Sequence, residues 1–381
     1  MASTFQILLE GTPVEAAFYD AVTSLEVEEN AELPDAVQLT LAVNRTSAGD
    51  LDYPSDSRLG PLANLAVVVQ PEGGAKHCIF DGFVLSHQLH LETATTASAL
   101  KVWGQDASWL MNLEEKVREW VDVTDAAVAR SIFGDYSFNP DPANDQDDSP
   151  AHSEDGHSLM QRGSDIQFLR NLARRNGKLC RVTCTDTPGQ RTGFFAKPDL
   201  SADPVLTLKL NDIQAWNVSA LDLEWEATRP TRVVCGQALF NDDDPDAATT
   251  DVADSGLALL DKNDLASFTG KPMTVLLATP VDDAGELRMR AQSLLREAGW
   301  FVRCEGEADV SRVHAIMRVG KVVQVEQIGE THSGKYLVWS VRHIITSESH
   351  RMRFVLVRNA IGGSGKGPAL GDFASLVAGL A

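Results

Sequence analysis

Residues Gln161 to Gly177 read QRGSDIQFLRNLARRNG, and Lys178 to Cys184 continue as KLCRVTC. Ser164 is a favoured N-cap, and Gln167 stands three positions on, the spacing of a capping box. Ile166, Leu169, Leu172 and Ala173 then recur at helical spacing, while Arg170, Arg174 and Arg175 fall on other faces. Asn176-Gly177 has the form of a left-handed C-cap. From Leu179 the period changes to two, with Cys180, Val182 and Cys184 on one face and Arg181 and Thr183 on the other. The stretch therefore predicts a helix capped at both ends and fed directly into a strand, an α+β element.

Working outward, the 381 residues allow two or three domains. Hydrophobic content of 43% and charged content of 23% are ordinary for globular chains. The net charge of −21 argues against stable binding of nucleic acid or insertion at an anionic membrane. Five cysteines scattered over this length do not form a disulfide scaffold, and reduced thiols are expected. The N-terminal MASTFQILLEGTPVEAAF lacks a basic region and a long apolar run, so no signal peptide is expected. No apolar run is long enough to span a bilayer as a helix.

The first hundred residues read as strands and turns. Val37, Leu39, Leu41 and Val43 alternate with Gln38, Thr40 and Ala42, and LAVVVQ, KHCIFDGFVLSHQLHLE and LKVWGQ follow, separated by turn residues. Ser108 to Trp120 looks apolar-periodic and helical, and Thr124-Asp125 caps a second helix, DAAVARSIFGDY. Residues 139–157 are acidic, proline-bearing and nearly free of apolar side chains, the composition of a mobile loop. Beyond the opening stretch, residues 205–237 are β-rich, a second acidic loop follows, and residues 282–299 form a helix with Leu287, Ala291, Leu294 and Leu295 on its apolar face. The remainder to Asn359 returns to strands. LGPLANLAVVVQ and RVGKVVQVEQ echo each other, which suggests an internal duplication.

Sites of turnover are absent from the motif pattern, so no enzyme is expected. The P-loop spacing would need glycine where Ala360 stands and Ser or Thr where Gly367 stands, so the run ending in Lys366 reads as a linker. Cys180 and Cys184 lack zinc-ligand spacing. Asp242, Asp243, Asp244 and Asp246 lack the EF-hand order, as does the weaker set His152, Glu154, Asp155 and His157, and solvated loops are the better reading. There is no G-x-S-x-G elbow. The paired acids Glu114-Glu115 and Asp282-Asp283 are placed at helix starts or on the surface. No cofactor or metal is expected. Near the C-terminus, Asp372 can cap a short helix with Phe373, Leu376, Val377 and Leu380 on one face. So short a helix needs a surface to pack on, and its flexible linker suits docking onto a partner.

The opening helix resembles a signature of the hub proteins of contractile tails: the late control D proteins of phages, the baseplate hubs of myophages and the N-terminal part of VgrG. In that family an "ES-D-FL-RL-EE-G" helix precedes a strand; here Gly163 replaces an acidic residue and arginines replace the late acids. RLGPLANLAVVVQ with HCIFDGFV is similar to the family's first-barrel signature. The end of its second barrel is matched by Gly320, Gly334, Tyr336, Val338, His343, Phe354, Arg358 and Asn359 in order.

The resemblance implies a mainly β fold with α+β insertions, two tail-tube-like β-barrel domains joined by a helical and α+β region. It divides the chain into a first barrel (1–106), a connecting domain with the acidic loop (107–200), a second barrel (201–240 plus 300–360), an inserted acidic loop and helix (241–299), and a linker with a short helix (361–381). It implies a homotrimer joining a sixfold tail-tube ring to a threefold spike among other baseplate components, in a virion baseplate or a cytoplasmically assembled injection particle. The chain stops where a VgrG continues into its needle, so the spike is expected to be a separate polypeptide, and the acidic charge suits an acidic lumen. Arg170, Arg174 and Arg175, with Phe373, Leu376, Val377 and Leu380, are the expected partner-binding residues. The alternatives are a hub carrying cell-wall hydrolase activity and an unrelated β-rich carbohydrate-binding protein. The latter would use tryptophans, but Trp103, Trp109, Trp216, Trp225 and Trp339 lie mostly in core-like patterns and burial is expected.

Overall fold

The computed structural model describes residues 3–93, 98–145, 149–153, 159–210, 212, 215–236, 249–277, 279 and 284–363. The first third supplies β1 (Ser3–Leu9), β2 (Thr12–Pro13), α1 (Ala16–Ala21), β3 (Val22–Asn30), β4 (Ala36–Ala42), β5 (Asn64–Pro71), β6 (His77–His90) and β7 (Ala99–Asp106). The middle supplies β8 (Glu115–Trp120), α2 (Asp125–Asp135), β9 (Asn139–Pro140), β10 (Leu159–Ser164), α3 (Asp165–Asn176), β11 (Leu179–Cys184) and β12 (Arg191–Ala196). The last part carries β13 (Thr207–Lys209), β14 (Val218–Trp225), β15 (Arg232–Gly236), β16 (Thr249–Val252), α4 (Leu265–Thr269), β17 (Thr274–Leu276), α5 (Ala284–Ala298), β18 (Val302–Asp309), α6 (Val310–Val313), β19 (Val322–Glu326), β20 (Gly334–Ile345) and β21 (His350–Arg358). The fold is mainly β, as the sequence implies.

Among the described residues thirteen strands form one curled sheet, in the order β14-β18-β21-β20-β3-β4-β7-β6-β5-β1-β2, with β13 and β19 joined at β20. Strict alternation produces it: Leu25 and Val27 of β3, and Val37, Leu39 and Leu41 of β4, point inward, while their neighbours are half-buried. The seam between the early and late strands is the antiparallel pair β3–β20, running from Ser340 opposite Asn30 to Ile345 opposite Leu25. One core lies against both sides of it, with Ile7, Leu39 and Val102 from early strands packed in the same cluster as Val302, Val338 and Phe354 from late ones. The two echoing segments are both strands: β5 feeds antiparallel β6, and β19 feeds antiparallel β20.

The middle region has its own core. Val128, Ile132 and Phe133 of α2 meet Ile166, Leu169 and Leu172 of α3, above Val182 and Phe195 of the β11–β12 hairpin. Gly193 belongs there for a steric reason, since a Cβ at that position would lie 2.3 Å from the Phe133 ring. A third unit sets α5 on the β16-β15-β17 sheet through Val233, Val252, Ala291 and Leu295.

Two local expectations are corrected. Ser108 to Trp120 is not a helix: Ala107–Asn112 is a 3-10 turn, capped by Asp106 Oδ1 accepting from the Ser108 N–H at 2.7 Å, and the rest is β8. The apolar residues there alternate, with Trp120 buried and Val117 exposed, and β10 supplies the antiparallel partner. The described part of residues 139–157 is not a free loop either. Its order comes from polar contacts: the side chain of Asn144 donates to Gly193 O at 2.8 Å and accepts from Phe195 N at 2.6 Å, while β9 pairs with β12.

Candidate interaction site

Helix α3 is built as its sequence directs, with one exception at its start. Ser164 occupies the N-cap but makes no capping bond; its Oγ donates instead to Asn112 Oδ1 at 2.7 Å, and Gln167 Nε2 donates to the same oxygen at 3.3 Å. The capping box is replaced by a tie to the preceding 3-10 turn. Asp165 takes over at the positive end of the helix, accepting from Lys116 Nζ at 2.5 Å, Tyr136 Oη at 2.7 Å and Gln161 Nε2 at 2.6 Å. Burial raises its pKa, but these donors outweigh burial and hold it below the usual value.

At the other end Gly177 adopts the expected left-handed conformation, φ 59°. The exposed carbonyls of this terminus are met by α5: Ser293 Oγ donates to Arg174 O at 2.7 Å, and Arg296 Nη1 donates to Asn176 O at 2.6 Å. Arg296 also donates to Ser255 O at 2.7 Å, which locks three segments together. No periodicity in the sequence announces Ser293 and Arg296 as caps for a helix more than a hundred residues away.

The three arginines of α3 have different surroundings. Arg175 turns inward, 3.1 Å from the fully buried carboxylate of Asp125 and 3.7 Å from Glu286. Asp125 also meets His152 Nε2 at 2.7 Å and accepts from Asn176 Nδ2 at 2.6 Å. Burial raises the Asp125 pKa, yet these partners bring it below the usual value. Arg170 and Arg174 stand one turn apart and make no ion pair among the described residues. Both line a cavity of about 280 Å³ bounded by Lys178, Trp300, Arg303 and Trp339. Trp300 and Trp339 lie with ring centroids 5.8 Å apart. Trp339 occupies the irregularity of β20 between Val338 and Ser340, which re-aims its side chain.

A second, larger cleft of about 1110 Å³ lies where the middle region meets the sheet. Ion pairs hold the contact, Arg181 to Asp35 at 3.2 Å and Arg191 to Asp81 at 2.8 Å, and within the sheet side Arg318 meets Glu29 at 2.7 Å. Burial works against ionised Glu29, but Arg318 and His343 bring its pKa down to about 2. Burial pushes the Asp35 carboxyl up to about 7 against the pull of Arg181. All five cysteines are free thiols, and burial pushes Cys180 and Cys304 up to about 12, which makes them poor nucleophiles. Among the described residues no cluster of His, Cys, Asp and Glu is arranged to hold a metal ion, and no helix is long and apolar enough to cross a membrane.

Phe373, Leu376, Val377 and Leu380 lie outside the described residues, as do Asp242, Asp243, Asp244, Asp246, Glu154, Asp155, His157, Asp282, Asp283 and Lys366. His152 is within them and serves as a partner of Asp125. The expectation that the tryptophans are buried is overturned at three positions: Trp103, Trp216 and Trp225 are 40%, 39% and 50% exposed. Strand alternation turns Trp103 outward between inward Val102 and Gly104. Trp225 rests edge-on against Phe268, and Trp216 lies under the Arg312 guanidinium at 3.8 Å.

Several solved structures share this fold. A tail protein from Neisseria meningitidis is 14% identical, with a TM-score of 0.65 over 97% of this chain and 100% of that one. The 43 kDa tail protein of prophage MuSo2 from Shewanella oneidensis is also 14% identical, with a TM-score of 0.62 over 94% and 99%. A type VI secretion system component of E. coli, described as similar to the T4 tail proteins gp27 and gp5, is 11% identical with a TM-score of 0.54, covering 91% of this chain and 77% of its own. At these identities the likeness is one of fold. No curated protein matches the sequence. The family described as the Alg8 N-terminal domain matches residues 1–347, and the chain belongs to that family.

Proposed function

We propose that the protein is a structural hub of a contractile phage tail or a phage-derived injection particle: a homotrimeric adaptor that joins a sixfold tail tube to a threefold spike and performs no turnover. One observation carries the reading. The fold runs end to end with that of a tail protein, over 97% of this chain and all of the other, leaving no large region for an added activity. The curled sheet with early and late halves supports it, because three such chains present six similar strand sets to a sixfold ring while keeping threefold symmetry toward a spike. The net charge of −21 fits an acidic channel wall. Its place would be the virion baseplate or an injection particle assembled in the cytoplasm.

The test is the mass of the purified full chain by light scattering. Three copies per particle are expected, and a stable monomer at tens of micromolar would overturn the reading. A zymogram on peptidoglycan separates the hub from one with hydrolase activity, with no cleared band expected.

A further inference from the structure

We infer that the cavity beside the C-terminal half of α3 binds an acidic peptide segment of a partner protein, seating a carboxylate on Arg170 and Arg174 and an apolar side chain against Trp300 and Trp339. The charge of the lining is the first reason. Six cationic residues face the cavity against two carboxylates, Glu32 and Glu297, in a chain whose net charge is −21. A local reversal of that size steers an anionic group to this spot.

The second reason is that Arg170 and Arg174 have no internal use for their charge. Like charges four apart on a helix repel. The neighbouring guanidinium groups are occupied: Arg175 by Asp125, Arg296 by the carbonyls of Asn176 and Ser255, and Arg303 by Glu305 at 2.7 Å. Arg170 and Arg174 make no ion pair among the described residues, and the Arg170 Nε is buried without an acceptor. Asp106 lies near enough to feel the charge of Arg170, but its carboxylate is engaged by the N–H groups of Ser108 and Asp35. With that nitrogen enclosed, the groups that Arg170 and Arg174 offer to the cavity are their terminal guanidinium nitrogens, and a carboxylate there forms the charge-assisted hydrogen bonds they lack within the chain.

The third reason is shape. The two tryptophans, both half-buried, give the cavity an apolar wall beside the cations, and about 280 Å³ holds a few side chains rather than a folded domain. Such a pairing of ring and guanidinium suits a short segment that alternates acidic and apolar residues. A nucleic acid, charged at every phosphate and longer than the cavity, would meet far more of the long-range repulsion of the acidic chain than a short segment seated within the basic patch.

The experiment is isothermal titration calorimetry of the full chain with the peptide acetyl-Glu-Leu-Asp-Leu-Glu-amide. The same titration is run on Arg170→Gln/Arg174→Gln and on Trp339→Leu, with melting temperature and circular dichroism confirming the fold. Saturable binding is expected for the unaltered protein, weakened about tenfold or more in both variants and by added salt, and absent for the Asn/Gln version of the peptide. No binding, or equal binding to the arginine variant, overturns the proposal. So does tighter binding of pyrophosphate than of the peptide, which would make the cavity a phosphate site. A fall in particle mass caused by the arginine variant would assign the occupant to a second copy of this chain and likewise overturn it. A monomeric protein that still binds the peptide would refute the hub while leaving this site intact.

Discussion

Asp125 is fully buried and faces three donors, from His152, Arg175 and Asn176. Its sequence neighbours mark only the first turn of α2; the partners lie 27, 50 and 51 residues away, so nothing local betrays the cluster. Replacing Asp125 with Ala strands a buried cation and is expected to cost about 3–5 kcal/mol in urea unfolding, with Asn costing less. His350 is a second buried site with a pH signature. It hydrogen-bonds Ser3 at 3.1 Å and His343 at 3.1 Å, and burial together with the charge of His343 brings its pKa from 6.5 down to about 3. Between those values the unfolded chain binds the extra proton, so His350 contributes stability above pH 6.5 that is lost as pH falls toward 3. The slope for one such group is about 1.4 kcal/mol per pH unit at most. His350→Gln should therefore flatten the acid limb of a stability–pH curve measured by urea unfolding; an unchanged limb would remove His350 as its source.

At the scale of elements, α3 was legible because its apolar spacing, its glycine stop and the change of period at Leu179 all agree. Gly177 carries more than a cap. A Cβ there would meet Arg296 Cδ at 2.8 Å and Ser293 Cα at 2.9 Å, at φ +59°. Gly177→Ala is expected to destabilise by about 2 kcal/mol, above the usual cost of about 1 kcal/mol for a left-handed Ala, because α5 must also retreat. Thermal unfolding with the melting temperature of Gly177→Ala against the unaltered chain checks this. Where elements were misread, the cause lay in partners. Residues 115–120 become a strand because β10 offers its hydrogen bonds, and residues 139–145 are held by the β12 backbone. Neither partner is visible from within the segment itself.

For the whole molecule, mainly β character followed from alternation in β4 and from the apolar runs LAVVVQ, KHCIFDGFVLSHQLHLE and LKVWGQ set between turn residues, but the order of strands did not. Alternation states which side chains face inward and is silent about which strand lies next to which. The joining of both halves in one sheet makes them cooperative, since Leu39 and Phe354 belong to a single core. Scanning calorimetry should show the two halves melting in one transition, and a mutation in β4 should lower the melting of β21 as read by hydrogen exchange. Two transitions with independent mutational shifts would separate them.

The β3–β20 seam also sets a schedule for synthesis. Leu25 waits for Ile345, and at ribosomal rates of about 5–20 residues per second the wait is on the order of 15–60 s. Through that interval one edge of β3 stands open to any passing strand. Glu26, Glu28 and Glu29 lie along it, a row of negative charge that repels another copy of the same edge. The neutralising groups arrive with the last part of the chain: Arg342 reaches Glu28, and Arg318 with His343 reaches Glu29. The acidic strand thus acts as a chaperone written into the chain, guarding the nascent protein and falling silent once its own C-terminal half has been made.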